Sequence, residues 1–389
     1  MDLNRIQESL KREKLDGWLF FDHHVRDALA YRVLGVTPAG HVSRRWYYFI
    51  PASGEPRGLV HRIESKMLDA APGEKILYSS WQEQQAGIAK LLGNAKRVAM
   101  QYSARCAIPY VAMVDAGTVE LVRELGVEVV TSAELIQEFE ACLSEDQFES
   151  HLEAGRRVDV IRAGAFRFIS ERLTTGVDEV TVRDWVLGEF RKAGLATDSG
   201  PIVGVNAHAG DPHYEPTAAT SVPIRPGDFV LLDMWAKLNR LGSVYYDITW
   251  TGFCGDPPER IVQVFEIVRD ARDRAVDAVV AAVAARREIR GFEVDDAARG
   301  HILAKGFGEK FVHRTGHSIG EEVHGSGANM DNLETHDERR IMPGALFSVE
   351  PGIYLEDFGV RSEVNVYVGA GKAATTGEVQ RELVRISPQ

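Results

Sequence analysis

Acidic residues interrupt apolar, strand-like runs at four places in the C-terminal half of the chain. Asp233 ends the apolar part of GDFVLLDMWAK, Asp247 lies within SVYYDITWTGF, and KLNRLG between them is predicted to be a hairpin turn. A second hairpin would place Glu350 of ALFSVEPGIY and Glu363 of GVRSEVNVYV at corresponding positions on its arms. Facing carboxylates repel unless a proton or a cation lies between them. We therefore expect both hairpins to converge on a compensating charge, with Asp233 facing Asp247 across the first ladder.

A short glycine-containing segment, HRTGHSIGEEVHGSG, adds His313, His317 and His324. A neutral imidazole is a common metal ligand, although a lone histidine is more often structural. One histidine with four carboxylates would form an oxygen-rich site that suits Mn²⁺, Co²⁺, Zn²⁺ or Fe²⁺ more than copper. Two such ions roughly 3.5–4 Å apart can polarise a carbonyl group. The residues alone thus indicate metal-assisted hydrolysis of an amide-type bond.

The composition excludes several other classes of protein. The 389-residue chain has a formal net charge of -12, which disfavours nucleic-acid binding because phosphate contacts need clustered lysine and arginine. Its three cysteines are widely spaced, so we expect no disulfide framework and a reducing, cytoplasmic location. The N-terminus lacks the apolar core of a signal peptide. No apolar run reaches the roughly 18–20 residues that span a bilayer, so we expect no membrane partner.

Short strand and helix patterns alternate from the N-terminus to about residue 140. WLFF (18–21) and WYYFIP (46–51) are the clearest strand patterns, because they are aromatic and β-branched with turn residues nearby. Such alternation predicts an α/β domain over residues 1–143.

After residue 143 the short alternating patterns give way to longer helical ones. Ser144 precedes a long helical pattern, and Gln147, three residues later, completes a capping box. Further helices fit residues 181–194 and 258–289. Residues 144–389 are therefore expected to form a second domain, of the α+β class.

The order Asp, Asp, His, Glu, Glu resembles that of the pita-bread metallopeptidases, peptidase family M24, which include methionine aminopeptidase, aminopeptidase P, prolidase and the non-peptidase creatinase. The matching stretches are GDFVLLDMWAK, YYDITWTG, HRTGHSIGEEVH, MPGALFSVEPGIY and GVRSEV, with PHYEP (212–216) upstream. The resemblance implies an α+β pita-bread catalytic domain over residues 144–389. It also implies a smaller α/β domain of the creatinase/prolidase type over residues 1–143, and a homodimer.

The resemblance further implies two divalent metal ions, with manganese favoured over cobalt, zinc or iron. The residues that it assigns as metal ligands are Asp233, Asp247, His317, Glu350 and Glu363. Among these, Asp247 and Glu363 would bridge the two ions. Glu350 would also handle the proton of the attacking water.

Other residues are assigned to the substrate by the same resemblance. His213 of PHYEP would contact the substrate near the scissile bond. His324 would stabilise the tetrahedral oxyanion as a preorganised donor. His313, Tyr354 and Arg361 match positions that line the pocket in the proline-specific branch of the family.

The implied activity is hydrolysis of the Xaa-Pro amide bond of dipeptides or short peptides, as by an Xaa-Pro dipeptidase or aminopeptidase. The alternative on the same fold is a metal-dependent hydrolase of a small non-peptide amide, of the ectoine-hydrolase or creatinase type. Trp235 and Trp250 stand where the family commonly has glycine and arginine, so we expect both to alter substrate choice. A metal-free mechanism or a non-catalytic binding role fits less well, because all five ligand positions are filled.

Four other patterns have simpler interpretations. GHSIG fits the nucleophile-elbow motif around Ser318, but the flanking sequence lacks the strand and the helix that an elbow needs. His23 and His24 in FFDHHVRD are typical of a surface turn. His208 is a weaker candidate for the pocket wall, and residues 333–340 are predicted to form a solvated loop.

Overall fold

The computed structural model describes residues 1–38 and 40–388, and the chain forms two compact units, Met1–Glu140 and Ala141–Gln389. The division lies within a few residues of the boundary that the sequence suggests at residue 143. Each unit has hydrophobic clusters of its own. Within the described ranges, no helix combines the length and the apolar character needed to cross a membrane.

The first unit is built on a mixed β-sheet. Its strands are β1 (Gly17–Asp22), β2 (Trp46–Pro51), β3 (Arg57–His61), β4 (Glu74–Tyr78), β5 (Arg97–Met100) and β6 (Glu128–Thr131). They follow the order β4-β3-β2-β1-β5-β6. β2 is antiparallel to β1 and β3, whereas the other neighbours are parallel. The strands predicted at WLFF and WYYFIP are confirmed, since Trp18 pairs with Ile50 in the β1–β2 ladder.

Helices cover both faces of this sheet. They are α1 (Leu3–Arg12), α2 (Ala28–Leu34), α3 (Trp81–Leu92), α4 (Ala116–Glu124) and the short α5 (Ala133–Ile136). α1 and α2 pack with Trp18 and Phe20 of β1, whereas α3 and α4 pack with Leu19 and Phe21. Because successive side chains of a strand point to opposite faces, the two helix pairs lie on opposite sides of the sheet.

The long helices of the second unit are α6 (Glu145–Arg172), α7 (Glu179–Lys192), α8 (Glu259–Ala284) and α9 (Gly291–Ala304). The predicted capping box is confirmed: the Gln147 N–H donates to the Ser144 hydroxyl, and the Ser144 N–H donates to the Gln147 side-chain oxygen. The helix predicted over 258–289 ends early, at Ala284. Arg286 adopts a left-handed backbone conformation, with φ of 53°, which an α-helix cannot include.

Two hairpins of the second unit carry the acids singled out above. Its strands are β7 (Leu195–Ala196), β8 (Ile202–Val205), β9 (Phe229–Leu238), β10 (Tyr246–Cys254), β11 (Leu346–Val349), β12 (Gly352–Tyr354), β13 (Gly359–Arg361), β14 (Val364–Gly369), β15 (Lys372–Thr376) and β16 (Val384–Ile386). One sheet has the order β16-β10-β9-β7, with β8 also paired to β9. Another has the order β11-β14-β15, and β12 pairs with β13.

The β9–β10 hairpin separates two hydrophobic clusters. Val230 and Leu232 pack with residues of α6 and α7. Phe229 and Leu231 belong instead to the cluster that contains residues of α8 and α9. Because side chains alternate along a strand, Asp233 lies on the same face as Phe229 and Leu231, which is the face towards α8 and α9.

The segment 333–340, predicted to be a solvated loop, instead buries two of its charges. Arg339 is ion-paired with Asp337, and it donates to the carbonyl of Ser326 at 2.7 Å. Asp337 accepts from the N–H of Asn329 at 2.9 Å. These contacts hold the loop against the segment of the same chain that carries Ser326 and Asn329.

Candidate metal centre

Asp233 and Asp247 lie on one face of the β9–β10 ladder, but not directly opposite each other. Asp233 pairs with Thr249, and Asp247 pairs with Trp235. The two acids are therefore diagonal neighbours on one face of the ladder. The expectation that they lie directly opposite each other was wrong, because their pairing is offset by two residues. The long connection between the two strands sets this register.

Each arm of the second hairpin is divided in two at its acid. Glu350 lies between β11 and β12, and Glu363 lies between β13 and β14. Pro351 favours the break after Glu350, because it has no N–H to donate to a ladder. The freed N–H groups bond elsewhere: that of Glu350 donates to the carbonyl of Thr315 at 2.7 Å, and that of Glu363 to Thr249 at 3.2 Å. The interruptions thus join the second hairpin to the histidine segment and to the first hairpin.

His317 lies in an extended segment that runs beside β11. The Ser348 N–H donates to the His317 carbonyl at 2.8 Å, and the His317 N–H donates to the Ser348 hydroxyl at 2.9 Å. The segment approaches so closely that a Cβ on Gly316 would lie 1.9 Å from the Ser348 carbonyl oxygen. On the imidazole, Nδ1 donates to the Ser318 carbonyl at 3.1 Å. This leaves the lone pair of Nε2 free for a ligand.

Nε2 of His317 meets a group of carboxylates. It lies 3.5 Å from Oδ2 of Asp247 and 3.3 Å from Oε1 of Glu350. Asp247, His317 and Glu363 each offer a ligand atom, and these atoms lie within 4.8 Å of one another. The structure therefore brings four of the five predicted ligands together around His317.

The carboxylates of this group outnumber the single guanidinium beside them, that of Arg361. Burial, followed by the charge of Glu350, raises the pKa of Asp247 well above its ordinary value. Burial, followed by the charge of Asp247, does the same to the pKa of Glu363. Such carboxylates need a proton or a cation between them. Oxygen donors with one neutral imidazole suit the first-row divalent ions named above, so the residues fit a metal centre.

Neutral side chains hold the Glu363 carboxylate and the backbone of Asp247 in position. The Thr249 hydroxyl donates to Oε2 of Glu363 at 2.9 Å. The Asn365 side chain accepts from the N–H of Asp247 at 3.1 Å and donates to the Asp247 carbonyl. Partners of this kind orient metal-binding carboxylates, and their loss commonly weakens metal binding.

Asp233, the fifth predicted ligand, is paired with Arg361. The guanidinium also donates through Nε to the Thr249 hydroxyl at 3.1 Å and through Nη1 to the Tyr354 hydroxyl at 2.9 Å. Tyr354 donates in turn to Nε2 of His313 at 2.7 Å. Burial raises the pKa of Asp233 to about 7, against the opposing effect of Arg361. The three predicted pocket residues therefore form one hydrogen-bonded chain that ends on Asp233.

Glu350 lies between the imidazole and this chain. Its Oε1 accepts from the Ser348 hydroxyl at 3.1 Å, and its Oε2 lies 3.9 Å from Nε of Arg361. Burial acts to raise its pKa, but His317, His313 and Arg361 together hold the pKa below its ordinary value. Glu350 is thus an ionised carboxylate that can accept a proton.

His213 lies in an exposed turn. Its N–H donates to the side chain of Asp211 at 3.1 Å. The adjacent carbonyl of Pro212 accepts from Arg361 at 3.5 Å. The turn that carries His213 therefore reaches the site through Pro212.

Glu179, which the sequence did not single out, organises the segment around His213. Its buried carboxylate accepts from Nδ1 of His208 at 2.9 Å, from the Tyr214 hydroxyl at 2.7 Å and from the N–H of Val205 at 2.8 Å. His208, a candidate for the pocket wall, is therefore bonded to Glu179. An acid in the first turn of a helix is common, so the sequence offered no distinctive signal for this role.

His324 lies beside the cluster on the bends that follow His317. The two imidazole rings meet edge to face, with centroids 4.4 Å apart and planes inclined at 83°. The His324 side chain is exposed. It can therefore turn a ring nitrogen towards a ligand that enters from solvent.

Ser318 does not form a nucleophile elbow. Its buried hydroxyl accepts from the N–H of Gly327 at 3.1 Å. The residues that follow it form bends rather than the helix that an elbow requires.

Trp235 and Trp250 lie on opposite faces of the first hairpin. Trp235 shares the face of Asp233, and its indole N–H donates to Asp198 at 2.9 Å. Trp250 packs in the cluster with α6, where the guanidinium of Arg162 lies 3.4 Å from its ring centroid. Contrary to expectation, Trp250 therefore points away from the acids, and only Trp235 is placed to shape the site.

Two acid-bearing hairpins joined through a glycine-rich histidine segment define a metal-dependent hydrolase centre. The family model described as Metallopeptidase family M24 matches residues 149–370, more than half of the chain. Uncharacterized peptidase YqhT of Bacillus subtilis is 30% identical over 259 residues, which cover 66% of this chain and 68% of that protein. The chain therefore belongs to metallopeptidase family M24.

Two further comparisons refine this assignment. The Xaa-Pro dipeptidase of Pyrococcus furiosus is 34% identical over 167 residues, which cover 43% of this chain and 44% of that protein. The crystal structure of dipeptidase PepE from Mycobacterium ulcerans aligns with a TM-score of 0.74 at 24% identity, covering 99% of this chain and 97% of that chain. The predicted fold class, a pita-bread domain preceded by a smaller α/β domain, is confirmed.

Proposed function

We propose that this metallopeptidase hydrolyses the Xaa-Pro amide bond of dipeptides or short peptides. The observation that carries the proposal is the convergence of Asp247, His317 and Glu363, with Glu350 in contact, in a buried site whose negative charge needs a cation. The Xaa-Pro dipeptidase of Pyrococcus furiosus, a relative by sequence, supports the substrate class. The small-amide alternative has no comparable support.

Two divalent ions, manganese in the first place, would be held by the predicted ligands. These are Asp233, Asp247, His317, Glu350 and Glu363. Bound ions would polarise the scissile carbonyl and make the attacking water more acidic. Asp233 would then exchange part of its pairing with Arg361 for a metal ion.

The protein's own side chains would supply proton transfer. Glu350 is ionised and lies 3.3 Å from Nε2 of His317, so it is placed to take the proton of the attacking water. The same carboxyl group, once protonated, can deliver that proton to the leaving amine. The Ser348 hydroxyl orients its Oε1 for both transfers.

Histidines would orient the substrate around this centre. His324, exposed beside His317, would donate to the oxyanion that forms on the attacked carbonyl. His213, on the turn that reaches the site through Pro212, would contact the substrate near the scissile bond. His313, with Tyr354 and Arg361, would form the pocket wall.

The remaining proposals concern the whole protein. Residues 1–143 would form the N-terminal domain and residues 144–389 the catalytic domain. By resemblance to prolidase and aminopeptidase P, we further propose a cytoplasmic homodimer that acts on small peptides.

A pair of variants tests the function. Asp247→Ala should abolish hydrolysis and lower the bound metal measured by inductively coupled plasma mass spectrometry. Asp357→Asn is the matched control, because its exposed carboxylate pairs with Arg260 in the same unit. It should change neither quantity. The assay compares Xaa-Pro dipeptides, longer Xaa-Pro peptides and N-acyl amides with Mn²⁺, Co²⁺ or Zn²⁺ added.

The results separate the two parts of the proposal. Unchanged hydrolysis in Asp247→Ala would refute the metal centre. Cleavage of the N-acyl amides without cleavage of any Xaa-Pro peptide would refute the substrate class. Preference for dipeptides over longer peptides would identify a dipeptidase rather than an aminopeptidase.

A further inference from the structure

The first unit contains a cavity of about 740 Å³ at one end of its sheet. Its wall includes residues from the ends of β1, β3 and β4 and from the first turns of α3 and α4. In open α/β sheets, ligands bind in the crevice outside the carboxyl ends of the strands. The volume also lies within the roughly 300–1,000 Å³ of small-molecule sites. Position and size therefore suit a small ligand.

Basic side chains, three arginines and two histidines, are concentrated in the wall of this cavity. They are Arg26, Arg44, Arg45, His23 and His61. The chain as a whole has 57 acidic residues against 45 lysines and arginines, so its composition does not explain such a group. Arg26 donates to the carbonyl of His23 at 2.8 Å, and Arg44 donates to the Ser43 hydroxyl at 3.0 Å. Within residues 1–38 and 40–140, none of the three guanidinium groups is ion-paired with a carboxylate.

Two acids close to the cavity, Asp115 and Glu64, accept hydrogen bonds from other groups. Asp115, which lines the cavity, caps α4 by accepting from the N–H and the hydroxyl of Thr118, both at 2.9 Å. Glu64 accepts from the N–H and the hydroxyl of Ser43 and from the backbone N–H of Arg44. Of these two acids only Asp115 lines the cavity, so three guanidinium groups stand against one lining carboxylate.

The loop that carries His23 and Arg26 has an unfavourable backbone conformation. His24 and Val25 both have left-handed φ values, 66° and 57°, which are rare for a β-branched residue. The Asp22 carboxylate enforces the bend by accepting from the N–H of Val25 at 3.0 Å and of Arg26 at 2.7 Å. Such strain persists only where the structure imposes it, and it is concentrated at functional sites.

We propose that this cavity binds a small phosphate ester of the nucleoside monophosphate class. Arg26, Arg44 and Arg45 would hold the phosphate, because the planar guanidinium pairs well with phosphate oxygens. Trp81 lines the cavity and is 62% exposed, so it offers a face on which the base can stack. This binding function is additional to the peptidase activity and does not depend on it.

Calorimetric titration of the full-length protein with AMP tests the proposal. We expect saturable binding of one AMP per chain and no binding of adenosine. Arg44→Gln with Arg45→Gln should weaken AMP binding at least about tenfold, because charge-assisted hydrogen bonds are lost. Lys11→Gln is the matched control, since it removes an exposed cation from α1, on the opposite face of the sheet. It should bind AMP as the parent protein does.

AMP binding measured in a variant of the metal centre shows whether the cavity acts independently of that centre. AMP binding should persist in Asp247→Ala, because the cavity lies wholly within the first unit. Loss of binding in that variant would overturn the proposal, as would equal affinity for adenosine and AMP. Unchanged AMP affinity in the double arginine variant would also overturn it. If that variant does not fold, Arg26→Gln, at an exposed position, provides the same comparison.

Discussion

Acid should destabilise the second unit through His151, which is fully buried in α6. Its Nδ1 donates to the carbonyl of Tyr245 at 2.7 Å, and its Nε2 accepts from the Thr376 hydroxyl at 2.7 Å. In the neutral ring both nitrogens are therefore hydrogen-bonded. A proton on Nε2 would break the bond that this nitrogen accepts from the Thr376 hydroxyl. Burial lowers the pKa of His151 to about 4, from an ordinary value of 6.5.

The sign of the effect follows from this depressed pKa. The unfolded chain takes up the proton at a higher pH than the folded one, so stability is retained above pH 6.5 and is lost as pH falls towards 4. At about 1.36 kcal/mol per pKa unit, the free energy of unfolding should fall by about 2 kcal/mol between pH 7 and pH 5. The loss would be about 3 kcal/mol at pH 4 and would be complete only below that pH.

His151→Asn removes the titration while retaining an amide donor near the position of Nδ1. Urea unfolding followed by circular dichroism at pH 7, 6 and 5 gives the stability difference between parent and variant. The variant should be less stable at pH 7, because the Thr376 hydroxyl loses its acceptor. That difference should shrink by about 2 kcal/mol at pH 5.

The comparison has a matched control in His41→Asn, which replaces an exposed histidine of the first unit. Because an exposed side chain makes few contacts, this substitution should change the free energy of unfolding by no more than about 0.5 kcal/mol at pH 7. If the difference in free energy of unfolding between the parent and His151→Asn is the same at pH 7 and at pH 5, the reasoning is refuted.

Two further variants examine the metal centre. Thr249→Val removes the hydroxyl that donates to Glu363 and accepts from Arg361, so metal affinity measured by competition with a chelator should fall roughly 10–100-fold. Unchanged affinity would show that this hydroxyl does not orient the carboxylate. Ser318→Ala should keep most of the peptidase activity, because its hydroxyl bonds the backbone of Gly327. A fall in kcat of about 10⁶-fold, typical of a lost serine nucleophile, would restore the serine-hydrolase interpretation.

Local features of the fold could be predicted from the sequence. The start of α6 was predicted correctly because Ser144 and Gln147, three residues apart, form hydrogen bonds with each other. The first hairpin was predictable because short apolar runs and the polar turn between them are also local signals. The family could be recognised because the acids stand in short stretches whose residues and order are shared with its members.

The way in which these acids combine could not be predicted, because it depends on distant partners. Glu350 and Glu363 leave their ladders because Thr315 and Thr249 offer carbonyl groups from other parts of the chain. The pairing of Asp233 with Arg361 joins residues 128 positions apart. No local pattern marks such contacts, and the burial of the Asp337–Arg339 pair is a similar case.

The joining of the two hairpins also has a consequence for the order of folding. The bond from Thr249 to Glu363 spans 114 positions, so the entropy of closing a long loop opposes it until the intervening chain is compact. α6, α7 and the β9–β10 hairpin can associate earlier, since their contacts are closer in sequence. We therefore expect cation capture to be a late event, which follows the docking of β13 and β14 and stabilises a largely folded chain.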